Sequence, residues 1–199
     1  MPEDPPRPAG LCAWGKTILF AILALFILLP AWSIYSCATM SDTLPLPTPG
    51  PMPDDAITQT FQTGDEWAAG PDRKIRISTV ERVDSYRLSS GEVIAAPRNM
   101  DFLLATVLSM NTGRSAFVTS PAYFLLADSD GREYADQTYS NYRIPKPYPA
   151  GSLTPGVTVS GTILWVVPAS AFGFEITYLL DPASSPPVIA SWTFGEDDW

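Results

Sequence analysis

The chain has 199 residues, of which 21 are acidic and 12 are basic, so its formal net charge is −9. Nucleic-acid binding needs a clustered basic patch, and this acidic balance therefore predicts that nucleic acid is not a partner. The sequence contains no histidine, which excludes a serine–histidine–aspartate triad, a cysteine–histidine pair and every histidine-based zinc site. We therefore expect a protein that is not an enzyme and that carries no cofactor.

The first predicted element is a membrane segment. Lys16 and Asp42 enclose 25 uncharged residues, and about 20 apolar residues suffice to cross a hydrocarbon core of about 30 Å. Arg7 and Lys16 precede this run, while the first basic residue after it lies far downstream. The positive-inside bias then predicts a cytoplasmic tail over residues 1–16, a transmembrane helix over residues 17–40 in contact with membrane lipid, and an extracellular domain. The expected location is the cell membrane, with a single pass.

Two alternatives for this segment stay open. Ser36 and Ala38 could be the small residues of a cleaved signal peptide, although the polar start is long for one. The run Ile34 to Cys37 resembles a lipobox and makes Cys37 a lipidation candidate, although Tyr35 stands where a small residue is usual. All three interpretations place the remainder of the chain outside the cytoplasm.

A proline-rich linker is predicted over residues 41–71. Prolines stand at positions 45, 47, 49, 51 and 53. Each proline fixes φ and removes an amide donor, so this stretch favours polyproline II over a helix or a sheet. The residues that follow the last of these prolines are polar, and we expect Phe61 or Trp67 to fasten them to the domain.

From residue 72 the sequence predicts short strands. In "RKIRISTVERV", Ile75 and Ile77 alternate with Lys74 and Arg76, which is typical of a half-buried strand that runs to about residue 83. Residues 100–110 are apolar at odd and even positions alike, so this strand should be central and covered on both sides. Turn signals recur along the chain, and no amphipathic helical stretch of any length is present. These patterns predict an all-β, antiparallel two-sheet β-sandwich over residues 72–194, followed by an acidic tail over residues 195–199.

Particular positions within the predicted strands carry specific expectations. Trp165 and Phe174 should be buried on the apolar faces of their strands, with Phe172 on the same face as Phe174. Gly161 within a strand indicates a bulge or a close backbone approach. The segment Asp128 to Gly131 predicts a tight hairpin turn.

The order of these motifs resembles a known family. A long central strand ends at Asn111, and it is followed by a strand, a "DSDGREY" hairpin, an "LTPG" turn and "GTILWVVP". This arrangement is similar to prokaryotic extracellular immunoglobulin-like domains of unknown function, and to a secreted mycobacterial immunoprotective antigen. The resemblance implies an immunoglobulin-like sandwich behind an N-terminal membrane segment. It supplies no catalytic residues.

The best candidate contact surface is the loop over residues 136–150. Tyrosine and arginine are enriched at binding hot spots, and this loop gathers several of them together with three prolines. The alternative is a loop that packs down over the edge of the sandwich. The binding candidates are Tyr139, Tyr142, Arg143 and Tyr148.

Two further groups of acidic residues are candidates, one for calcium binding and one for hydrolysis. Asp128 and Asp130 resemble part of a calcium loop, but a complete EF-hand pattern is absent and a hairpin turn explains both residues, so no metal site is predicted. Paired carboxylates for a hydrolase would have to be brought together by the fold, the candidates being Asp101, Glu133, Asp136 and Glu175.

Two functional hypotheses follow from these features. The first is a membrane-anchored extracellular binding or adhesion module without catalytic activity, whose partner is an extracellular protein or glycan. The alternative is an accessory structural subunit that stabilises a membrane complex through its span. A carboxylate-based hydrolase is a third and more distant interpretation.

Overall fold

The structure is a computed structural model that describes residues 55–64 and 66–195. Its secondary structure is almost entirely β, and within these residues the one helical element is a short 3-10 turn over Pro121–Tyr123 that Ser120 caps. The strands are β1 Ile57–Thr60, β2 Ala68–Ala69, β3 Arg73–Val83, β4 Ser85–Arg87, β5 Val93–Ala95, β6 Met100–Asn111, β7 Phe117–Thr119, β8 Phe124–Ala127, β9 Glu133–Tyr134, β10 Gly151–Leu153, β11 Thr158–Pro168, β12 Phe174–Asp181 and β13 Val188–Phe194.

These strands form two main sheets and two small two-stranded sheets. One sheet has the order β1-β13-β12-β8-β9 and the other has the order β11-β6-β3-β2. The small pairs are β4 with β5 and β7 with β10. The named strand pairs are antiparallel except for β1, which lies parallel to β13. The expected all-β sandwich is confirmed, with one parallel edge that the sequence did not predict.

The main core lies between the inward faces of the two large sheets. Strand β6 is central in its sheet, between β3 and β11, and buries Leu103, Ala105 and Val107 on its inward face. On its outward face Phe102 is also fully buried, in a second and smaller cluster with Leu164 and Ile144. The prediction that this strand is central and covered on both sides is therefore confirmed at its N-terminal end.

The predicted register of the last strands holds with one exception. Trp165 and Phe174 are both buried, as expected. Phe172, expected on the same face as Phe174, is instead 53% exposed. The reason is that β12 begins only at Phe174, after Gly173 has turned the chain with a positive φ of 62°.

The folded domain begins earlier than the sequence predicted. Residues assigned to the linker 41–71 form β1 and β2, which pair with β13 and β3. Phe61 packs against Trp192 with 5.8 Å between ring centroids, and the Arg76 guanidinium lies 4.9 Å from the Trp67 ring centroid. Both expected fastening residues therefore contact the domain. The linker prediction is too long because β1 is mainly polar and β2 has only two residues, so neither strand shows an apolar alternation in the sequence.

Several predictions concern residues outside the described part of the chain. They are the cytoplasmic tail 1–16, the transmembrane helix 17–40, the lipidation candidate Cys37 and nearly all of the acidic tail. In the described part, no helix has the length and apolar character needed to cross a bilayer.

The buried indole of Trp165 provides a test of the assigned register. Replacing Trp165 by alanine removes a large side chain from between the sheets and should lower the free energy of unfolding by about 3–5 kcal/mol. Chemical denaturation measures this change. Thr158→Ala, an exposed position on the same strand, is the control and should change it by less than about 0.5 kcal/mol. Similar unfolding of the two variants would contradict the register of β11.

Candidate functional site

The loop over residues 136–150 lies along the outer edge of β11. The Gln137 amide donates to the Leu164 carbonyl at 2.7 Å, and the Leu164 amide donates to Thr138 Oγ1 at 3.1 Å. Further along, the Tyr148 amide donates to the Thr162 carbonyl, and the Thr162 amide donates to the Lys146 carbonyl, both at 2.9 Å. The loop therefore satisfies backbone groups of β11 that an exposed sheet edge would leave unpaired.

Tyr148 is a core residue rather than a contact residue. Its side chain is fully buried, and its hydroxyl lies 2.5 Å from both Ser109 Oγ and Thr119 Oγ1. Burial raises the pKa of Tyr148 to about 12. The prediction of Tyr148 as a binding candidate is therefore wrong, because its ring fills the space between the sheets beside Phe124 and is not exposed.

The entry of Tyr148 into the core depends on Gly161. A Cβ added at Gly161 would lie 2.4 Å from the Tyr148 Cα and 2.7 Å from the Pro147 carbonyl oxygen. Contacts this short with backbone atoms leave no room for any side chain. The sequence signal at Gly161 is thus explained as a close backbone approach.

The remaining candidates occupy different environments on the loop. Tyr139 is 58% exposed, yet its hydroxyl donates to the Tyr148 carbonyl at 2.5 Å and accepts from the Ala150 amide at 3.1 Å. Tyr142 is half-buried, with its ring edge-on to Phe102 at 5.1 Å. The Arg143 side chain is 68% exposed and pairs with Glu92 at 2.6 Å. Tyr139 and Arg143 are thus available for contact, whereas Tyr142 belongs mainly to the second cluster.

The carboxylate of Asp128 organises its own hairpin. Oδ1 accepts from the amides of Asp130 and Arg132 at 3.0 and 2.9 Å, and Oδ2 accepts from the Tyr134 hydroxyl at 2.5 Å. The hydrogen bond from Tyr134, helped by the two amides, lowers the pKa of Asp128. Asp130, by contrast, is exposed.

The candidate carboxylates for a hydrolase have separate partners. Asp101 accepts from Arg82 Nε at 2.8 Å, Asp136 accepts from the Thr138 amide at 2.8 Å, and Glu175 accepts a hydrogen bond from Ser191. Within the described ranges, no three acidic or cysteine side chains gather as a metal site would require.

An open groove of about 280 Å³ lies on the outward face of the four-stranded sheet. Its floor is formed by Thr79 and Glu81 of β3, Leu104 and Thr106 of β6 and Thr162 of β11. Tyr86 of β4 and Pro145 of the loop form its sides. Sequence reasoning missed this groove, because regular alternation from Ile75 and Ile77 would place Thr79 on the inward face and the pairing of the three strands was not known.

One family matches most of the sandwich. A domain of unknown function, DUF4352, matches residues 75–188, more than half of the chain. The chain belongs to the DUF4352 family. The expected resemblance to a domain of unknown function is confirmed at this level, and membership brings no assigned activity with it. No curated protein matches the chain.

Solved structures share the fold of this DUF4352 domain at low sequence identity. YcdA of Bacillus subtilis, a candidate lipoprotein, is 16% identical with a TM-score of 0.51, and the match covers 66% of this chain but only 39% of YcdA. MPT63, a secreted protein of Mycobacterium tuberculosis, is 12% identical with a TM-score of 0.47, covering 70% and 98% of the two chains. An uncharacterised β-sandwich protein of Clostridium difficile is also 12% identical, with a TM-score of 0.45 and coverage of 71% and 99%. These likenesses concern the fold alone.

The contact between Gly161 and Tyr148 yields a second prediction. Gly161→Ala should lower the free energy of unfolding of the DUF4352 domain by about 1–3 kcal/mol or more, because the new methyl group would force the two backbones apart. Chemical denaturation measures the loss, with Thr158→Ala again as the control. A Gly161→Ala protein of unchanged stability would show that the loop does not need this close approach.

The Asp128 hairpin yields a third prediction. Asp128→Asn should lower the melting temperature at pH 7, because a charged acceptor for Tyr134 becomes neutral. The native pKa of Asp128 lies below its unfolded value of about 3.9, so its contribution is present above that value and is lost as the pH falls through the native pKa. Melting curves from pH 7 to pH 2 should therefore converge for the two proteins. Asp130→Asn is the control, and an equal effect at pH 7 would contradict the assignment.

Proposed function

We propose that the chain is a membrane-anchored extracellular immunoglobulin-like sandwich that binds a protein or glycan and catalyses no reaction. The uncharged run over residues 17–40 supports the anchor, and the proline-rich residues that follow support a stalk that holds the domain away from the bilayer. YcdA, whose fold this domain shares, is a candidate lipoprotein, which agrees with a sandwich exported on an anchor.

The observation that carries the proposal is an ordered loop with exposed binding-type side chains. The backbone of residues 136–150 is fastened to β11 at both ends, and the Tyr139 hydroxyl ties the loop to itself. Tyr139 and Arg143 nevertheless remain exposed. An aromatic side chain on a fixed backbone loses little conformational entropy on binding, which is why tyrosine suits such surfaces.

The Arg143–Glu92 pair does not compete strongly with a partner. Both side chains are largely exposed, and exposed ion pairs contribute only about 0–1 kcal/mol. A carboxylate on a partner can therefore replace Glu92 at small cost. The absence of catalysis belongs to the proposal: no histidine is present for a triad, and Asp101, Asp136 and Glu175 each hydrogen-bond to a separate partner and do not pair with one another.

The test of this proposal is capture from native envelope membranes. The full-length chain should retain a protein or glycan partner, and the double variant Tyr139→Ser with Arg143→Ala should lose it while still unfolding in one cooperative transition, with a melting temperature no lower than that of Tyr139→Phe, which loses the same hydroxyl. Arg114→Ala, an exposed arginine on the turn after β6, is the charge-matched control. Tyr139→Phe keeps the ring and should keep the partner if the contact is made by the aromatic face.

The same capture distinguishes the alternative of an accessory structural subunit. A chain without residues 17–40 should still hold its partner if the domain makes the contact. Loss of the partner on deletion of residues 17–40, together with full capture by the loop variant, would favour the accessory subunit and contradict the binding module.

A further inference from the structure

The groove on the outward face of the four-stranded sheet has a row of hydroxyls along its floor. Thr79 lies opposite Thr106, and Thr106 lies opposite Thr162, so that one threonine comes from each of three adjacent strands. Directly opposed residues of antiparallel strands have Cβ atoms about 4.5–5.5 Å apart. Among the described residues, none of the three hydroxyls has a hydrogen-bond partner.

A β-bulge places this row in register. Ile77 pairs with Val107 but Thr79 pairs with Thr106, so Ser78 is an extra residue on β3. In a regular strand Ser78 would face Thr106, and each later residue of β3 would point to the opposite side. The bulge therefore turns Thr79 and Glu81 into the groove and Val80 into the core. Bulges often stand beside binding sites, where they redirect side chains in this way.

Tyr86 contributes an aromatic ring to the side of the groove. This ring packs against Phe102 with 5.1 Å between centroids. The Tyr86 hydroxyl is buried and has no hydrogen-bond partner in the described part of the chain. Because this hydroxyl is closed to solvent, a ligand in the groove would meet the ring and not the hydroxyl.

The lining selects the chemical class of the ligand. Glu81 is the one charged residue of the lining, and no basic side chain stands there to receive a phosphate or a carboxylate. Three threonine hydroxyls and a carboxylate suit a ligand with many hydroxyl groups. Leu104 and Pro145 offer apolar surface for its C–H face. The volume of about 280 Å³ is near the lower end of the range of about 300–1,000 Å³ for small-molecule sites, so it fits a short ligand.

We propose that this groove binds one or two rings of a neutral saccharide, with hydrogen bonds from the sugar hydroxyls to Glu81 and the threonine row. The proposal rests on the proposed function and names the ligand class of a binding module. It places the saccharide on the outward sheet face, while Tyr139 and Arg143 contact a macromolecular partner from the loop.

The test uses the full-length chain in a detergent without a sugar headgroup, since a glycoside detergent would itself compete. Neutral hexose, N-acetylhexosamine and uronic-acid disaccharides are offered free in solution and attached to a surface, so that soluble sugar and displayed glycan are compared. We expect the neutral saccharides to bind. Thr106→Val and Glu81→Gln should each weaken binding about tenfold, as expected for the loss of a hydrogen bond. Thr158→Val, an outward threonine of β11 beyond the groove, should bind as the wild type does.

Tyr86→Phe is the control for a hydroxyl that the ligand does not reach. Removing a buried hydroxyl without a partner should raise the melting temperature of the sugar-free protein and leave saccharide binding unchanged. Loss of binding by Tyr86→Phe would overturn the arrangement in which Glu81 and the threonine row hold the sugar.

The remaining outcomes decide the rest of the proposal. Binding of the uronic-acid saccharide alone would overturn the neutral class, and binding that Thr106→Val and Glu81→Gln leave unchanged would overturn the groove. No binding of any saccharide overturns the proposal as well. Capture that depends on Tyr139 and Arg143 would then still support the binding module, so failure of the groove and failure of the proposed function are distinguishable.

Discussion

The close contact between the backbones of Gly161 and Tyr148 determines how the loop over residues 136–150 packs against β11. Because Gly161 has no side chain, the loop can approach β11 closely enough to hydrogen-bond with Thr162 on both sides of the contact. The Tyr148 ring then enters the core, where its hydroxyl meets Ser109 and Thr119. The same placement covers an exposed sheet edge, which natural β-proteins protect from pairing with other chains.

The second cluster and the groove are consequences of that placement. Ile144 and Tyr142 of the loop meet Phe102 and Leu164 on the outward face, while the hairpin of β4 and β5 covers the other flank of the cluster. The middle of the face lies between these two covers and carries the threonine row. The middle of this sheet face is polar and is left uncovered between two covered flanks, and it therefore forms a groove. The bulge at Ser78 contributes to the same groove, because it determines which residues of β3 face outward.

The sequence predicted what depends on local patterns and missed what depends on pairing. Alternation around Ile75 and the buried Trp165 were readable, since a period of two reports directly which face of a strand is apolar. The loop was found, but Tyr148 was placed on the surface, because the depth of a tyrosine in a loop is set by a glycine on another strand. The bulge at Ser78 leaves no mark in a single sequence, and the cross-strand threonine row follows from it. The mainly polar strand β1 and the two-residue strand β2 were missed, since backbone pairing with β13 and β3 needs no apolar pattern.

Alternation along β11 separates what stabilises the domain from what we propose it binds. Ile163 and Trp165 point into the main core, whereas Thr162, which lies between Gly161 and Ile163 in the chain, faces outward and lines the groove. Substitutions at outward positions can therefore change the ligand without disturbing the packing of the two sheets. Gly161 lies on the inward side of β11, and it supports the core through its close contact with Tyr148. A fold built in this way can accommodate different ligands in different members of one family, because function lies in a site carried by the fold and not in the fold itself.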